Sequence, residues 1–196
     1  MKKLSTYLFL VLFSFSAPSF ADDISEYQIE GISIGDSALD YLSKDEIITE
    51  IEINKPMYNY LREEFGEVYI RDELKTYDYV SFFVKLADSK YIIYGVFGTI
   101  SYNKNINQCY KKQKELEKEF SAVYKDTKKQ EGEQLHPIDP SGKSTVRYIY
   151  FKFKSGDLIR IECSNFEENL KNKNNWDNAL VVSLLKARLG DWLSSY

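Results

Sequence analysis

The sequence predicts an α+β fold: a single domain in which an antiparallel sheet of hairpins packs against one long helix. Three observations carry the prediction. Tyr77 to Leu86 and Leu158 to Cys163 alternate at period two, and each lies across a short polar turn from a run, Tyr91 to Tyr102 or Thr145 to Lys154, rich in aromatic and β-branched residues. Between them, residues 104–126 repeat their apolar positions at helical spacing. Hairpin, helix, hairpin is a layered pattern that buries one core between helix and sheet. Composition agrees: 196 residues, 43% hydrophobic and 29% charged, suffice for one core and exclude a disordered or fibrous chain.

The elements follow in chain order. Residues 1–21 read as a signal peptide, with Lys2 and Lys3 as a basic head, Leu8 to Phe15 as a short apolar run, and Ser19 and Ala21 as the small residues before the cut. The run is too short to span a bilayer, which takes about 20 apolar residues. The domain proper is then 22–196, exported to the periplasm or secreted, with no transmembrane segment after signal cleavage. Cleavage removes two lysines and no acid, so the formal charge moves from -4 to a more acidic value. An acidic chain of this kind carries no basic stripe for nucleic acid.

Ile29 to Ile34 reads as a short strand ending in a turn at Gly35. Ser37 with Asp40, and Ser43 with Glu46, have the spacing of capping boxes, so one or two short helices run to about Glu50. Asn54-Lys55-Pro56 is a break. Residues 57–75 are open between helix and strand, with a candidate strand at Glu67 to Arg71 after a turn at Phe65-Gly66. Tyr77 to Leu86 and Tyr91 to Tyr102 form the first hairpin, the second strand apolar on both faces and therefore central. Its Gly95 and Gly98 predict close approach by another element.

The long helix presents Ile106, Cys109, Gln113, Leu116, Phe120 and Val123 on one stripe, with Asn103 or Asn105 as its cap. KKQEGEQ then opens a polar loop to Ser141. In the second hairpin the first strand puts Ile149, Phe151 and Phe153 on one face and Val146, Tyr148 and Tyr150 on the other, and after the turn at Ser155-Gly156-Asp157 the second puts Ile159, Ile161 and Cys163 on one side and Arg160 and Glu162 on the other. Leu180 to Leu185 reads as a last strand and Lys186 to Ser194 as a short helix, against a rival single helix from Trp176 onward; 176–185 therefore stays open.

Cys109 on the helix stripe and Cys163 on the strand's apolar side point at one interface, which predicts a disulfide in an oxidising compartment. No C-x-x-C spacing marks the pair as a redox centre.

Catalytic, cofactor and metal signatures are absent from the sequence: no H-E-x-x-H, no G-x-S-x-G. His136 is the only histidine, alone in a polar loop without partners nearby in sequence. Ser141-Gly142-Lys143-Ser144-Thr145 copies the end of a phosphate loop, but Pro137 stands where its first glycine belongs and a strand follows instead of a helix. It reads as a turn. The paired acids Asp45-Glu46, Glu63-Glu64 and Glu167-Glu168 read as surface charge. Most of the aromatics, 15% of the chain, fall in strands, where core packing accounts for them.

The segments IEGISIGDSALDYLS, NINQCYKKQKELEKEF and GKSTVRYIYFKFKSGDLIRIEC, with both cysteines, resemble a group of uncharacterised small exported proteins of marine bacteria. That resemblance implies export and a disulfide, and transfers no catalytic residue. Ile32, Gly35 and Ser37 are also similar to the first strand-to-helix element of the SmpA/OmlA and β-lactamase-inhibitor-protein fold, without the Leu-Gly-x-Pro that follows it there or the lipid-bearing cysteine. The functional expectation is a non-catalytic interaction module of the envelope, binding a protein or peptide. The alternative is a binder of metabolites or glycans through surface aromatics such as Tyr77, Tyr79 and Tyr94.

Overall fold

The structure, a computed structural model, describes residues 24–55, 64–103 and 105–195. The expected signal over 1–21, and the first part of the open stretch 57–75, lie outside the described residues. Seven strands form one antiparallel sheet: β1 (Phe65–Ile70), β2 (Tyr79–Lys85), β3 (Ile93–Ser101), β4 (Lys128–Leu135), β5 (Thr145–Lys152), β6 (Leu158–Asn165) and β7 (Ala179–Leu185). Their spatial order is β1-β2-β3-β7-β6-β5-β4, so β3 and the late strand β7 sit at the centre. The α+β class is as expected. One helix against hairpins is too simple, because the described residues hold four α-helices: α1 (Lys44–Asn54), α2 (Ile106–Val123), α3 (Glu168–Asn174) and α4 (Ala187–Leu193). No described helix is long and apolar enough to cross a membrane.

The sheet has a front face under α1, α2 and the chain before α1, and a back face partly under α4. Ile47 and Ile51 bring α1 onto β1, where a side chain on Gly66 would meet Ile51 at 2.8 Å. Gly66 is thus a strand residue that admits a helix, and the expected turn at Phe65-Gly66 does not exist. Its N-terminus is the capping box read from Ser43 and Glu46: the Glu46 amide donates to the serine hydroxyl and the Ser43 amide to the carboxylate. Ser37 caps a single 3₁₀ turn, Ala38–Asp40. The strand expected from Ile29 is only an isolated Ile29–Ile32 bridge, its corner made by Glu30 and Gly31 at positive φ. Glu30 then spends its carboxylate on the amides of Lys75, Thr76 and Tyr77, tying this segment to the start of β2.

Asn105 caps α2, which buries Cys109, Gln113, Leu116 and Phe120 against β5, β6 and β7. Val123, placed on the stripe by spacing, is instead exposed. Cys109 and Cys163 are bridged, with Cα atoms 6.1 Å apart. One turn along, the Gln113 amide donates to the carbonyls of Arg147 and Ile161, at 2.9 and 2.8 Å.

Two stretches differ from expectation. KKQEGEQ is not a loop but β4, exposed along nearly all its length and paired residue by residue with β5. It has no apolar alternation to reveal it. Its charges meet neighbours instead, Glu131 with Lys114, Lys129 with Glu117 and Glu133 with Arg147, and charged residues suit an edge strand. The second is the stretch 176–185, where β7 forms and the rival helix does not. Asn175, just before it, turns the chain in the left-handed region (φ 54°), and Val181 and Val182 within it are β-branched and fit a strand.

Candidate functional site

Alternation along the strands divides the sheet, and the pairing aligns its back-facing residues in rows. One row reads Tyr148, Glu162, Val181, Thr99, Tyr79 from β5 to β2; the next reads Ser164, Ala179, Ser101. From Glu162 onward, the two rows floor a groove of about 410 Å³.

Two corners wall the groove. The first is the β4–β5 connection, which carries His136 and Ile138. It is folded on itself by Asp139, which accepts from the amides of Ser141 and Ser144 and from the Ser144 hydroxyl. Those serine hydrogen bonds hold the Asp139 carboxyl well below the usual range. The Ser144 oxygen in turn accepts from the Glu167 amide at 2.9 Å, so the first corner is stapled to the second. The phosphate-loop look-alike is therefore a turn, with Gly142 at φ 68° and Ser144 buried as its pin.

The second corner runs from β6 through α3 into β7. Glu167, expected to be mere surface charge, accepts from the amides of Asn169 and Leu170 and caps α3. Asn175 ends the helix, and the Trp176 amide donates back to the Lys171 carbonyl. This reversal lays Trp176 against Phe166, ring centroids 5.3 Å apart, and Phe166 meets His136 at 4.7 Å. Asn178 fixes the base, accepting from the Phe166 amide through its side chain. The result is one aromatic wall assembled from three separate pieces of chain.

The polar floor is tightly committed. Glu162 accepts from the Tyr150 hydroxyl at 2.7 Å and from an Arg160 guanidinium nitrogen at 2.6 Å. Burial first, and the Glu162 charge second, push the Tyr150 hydroxyl well above its ordinary range. Burial lowers the His136 pKa, with Glu162 and Asp139 pulling the other way, so the ring is neutral at pH 7. Its Nδ1 accepts from the Ile138 amide at 3.3 Å. Among the described residues no group of His, Cys, Asp and Glu could hold a metal ion.

Of the tyrosines expected to contact a ligand, only Tyr79 lines this groove. Tyr77 lies on the front face, packed on Gly98 and hydrogen-bonded with Tyr27. Tyr94 packs edge-on against Phe65, 5.3 Å between centroids. The cysteines hold the opposite face of β6. His136, passed over as a lone loop residue, is in the wall, and Phe166, Trp176 and Asp177 were not singled out at all. Trp176 had one signal: a tryptophan alone in an Asn- and Lys-rich stretch has no local core to join. Comparison with protein-family models, with curated proteins and with solved structures finds no match to this chain.

Proposed function

We propose that this protein is an exported, non-catalytic binding module that works through the back-face groove. Export is supported by the basic head, apolar run and small residues of 1–21, and by a disulfide that fits an oxidising compartment. The observation that carries binding is the groove's make-up. An aromatic wall of His136, Phe166 and Trp176 stands over a floor of mixed polar and small apolar side chains, at about 410 Å³ within the range of small-molecule sites. Holding rather than turnover is favoured by how its ionisable groups are used. Each Glu162 oxygen already accepts a hydrogen bond, and His136 accepts one at Nδ1. A thermal-shift screen of metabolites, glycans and short peptides checks this reading. A hit that stabilises the protein and is lost in Trp176→Ala is expected; no hit in any class sinks it.

A second reading, an envelope protein or peptide as partner, has its own support in β4. Its outer side pairs with no other described strand, which leaves backbone groups for an added strand. Crosslinking in the native envelope separates the two readings. A partner joined through Lys128 or Lys129 favours the edge, and an empty partner list removes it.

A further inference from the structure

We propose that the groove selects an organic cation: a quaternary or tertiary ammonium on a small apolar body. This rests on the groove being the binding site, and adds the charge of its occupant. Glu162 and Asp177 line the groove, and no lysine or arginine does. The Glu162 charge is matched from beside the groove by Arg160, whereas Asp177 makes no ion pair among the described residues. One carboxylate of net charge therefore faces the space.

The rest of the lining suits a weakly hydrated cation. Phe166 and Trp176 both line the space, and the negative face of an aromatic ring attracts ammonium groups, most strongly once water is excluded. His136 adds no opposing charge at neutral pH because burial keeps it unprotonated. Val181 and Ala179 in the floor, with Ile138 at the rim, give methyl groups an apolar bed. An anion would meet Asp177 with no cation to receive it. A neutral sugar could stack on Trp176 but would leave Asp177 unused as a charge.

The test pairs choline with its uncharged isostere 3,3-dimethylbutan-1-ol, titrated calorimetrically into the purified protein, with cellobiose as a neutral sugar. Choline is expected to bind at least about tenfold more tightly than the alcohol. Asp177→Asn is expected to weaken choline about fivefold and leave the alcohol unchanged, while Asp177→Glu retains choline binding. Raising salt to about 0.5 M should weaken choline alone. Equal binding of choline and the alcohol, or an unchanged preference in Asp177→Asn, overturns the proposal. Binding of cellobiose but not choline, lost in Trp176→Ala, also overturns it and leaves the groove standing as the binding site. Choline binding that survives Trp176→Ala places the cation elsewhere and overturns both.

Discussion

At one end of the back face the strands present Leu158, Leu185, Gly95, Phe83 and Glu67 in a row. Four residues further along the same strands the row is Glu162, Val181, Thr99 and Tyr79. The first row is sealed and the second is the floor of the groove. What separates them is the glycine. A side chain on Gly95 would lie 2.4 Å from Leu189, so its absence seats α4, and Trp192 from the same helix closes edge-on over Phe65 at 5.1 Å. Asp157 anchors that helix through the Ala187 amide and the Lys186 ammonium. At the open end Thr99 replaces the glycine, Glu162 replaces Leu158 and the smaller Val181 replaces Leu185, so no helix docks and two corners form walls instead. Cover follows the rows, although backbone and register are continuous between them.

The two ends are braced differently, and the largest expected effect removes the open end's brace. Cys163 lies beneath Glu162 and Ser164 on the front side of β6, and its bridge to Cys109 closes a loop with a separation of 54 residues. Cys109→Ser with Cys163→Ser should lower unfolding free energy by about 4 kcal/mol in the chain-entropy treatment. Urea denaturation with and without reductant measures it; a loss below about 1 kcal/mol would mean that packing of α2 alone holds β6.

Next is a pH effect at the sealed end. Glu67 is buried beside Phe83, and burial pushes its carboxyl up to about 7, although Ser81 and Tyr69 hydrogen-bond to it and Arg71 is near. The folded state therefore holds this proton more tightly than the unfolded chain. Its stabilising contribution is complete below about pH 4.5 and is lost progressively as pH rises to about 7. Glu67→Gln should be more stable than the parent by roughly 3 kcal/mol at pH 9, with the advantage vanishing near pH 4. Parallel melts across this range decide it, and a constant difference between the two proteins would show that Glu67 does not titrate there.

A smaller effect probes the glycine itself. Gly95→Ala puts a methyl against the Leu189 side chain and 3.2 Å from the Leu184 carbonyl oxygen, and overpacking of this kind costs about 2 kcal/mol. Stability and Trp192 fluorescence should both change while ligand binding in the groove is retained. Loss of groove binding would show that the two ends are not independent.

These contrasts also mark how far the sequence could be read. Strand alternation separates Arg160 and Glu162 from the Cys163 side that meets the helix, and separates Tyr148 and Tyr150 from Ile149 and Phe151; the pairing joins the two polar-edged faces into one. The partners of Gly95 and Gly98 were foreseen as close approach, with Leu189 and Tyr77 now filling the places. The groove itself was hidden. Its wall joins His136, Phe166 and Trp176, up to 40 positions apart in sequence, through corner hydrogen bonds that leave no periodic trace. The strand β4 was hidden for a different reason: exposed on both faces, it needs no apolar alternation, and its pairing is backbone and charge.

The smallest expected effect falls on the boundary between the ends. Ser183 stands in the row between Arg160 and Phe97, fully buried. Among the described residues neither its hydroxyl nor the Arg160 Nε has a hydrogen-bond partner. A buried hydroxyl without a partner forfeits its hydration, so Ser183→Ala removes a cost and leaves a gap of one oxygen atom. The expected gain is about 1 kcal/mol, read as a raised urea midpoint with an unchanged slope. Because Ser183 is not among the residues that line the groove, that gain should appear with no change in groove binding and none in the pH window set by Glu67. A loss of stability instead would mean that the Ser183 oxygen and the Arg160 Nε are joined in solution, and that the two ends share a polar link through the middle of the face.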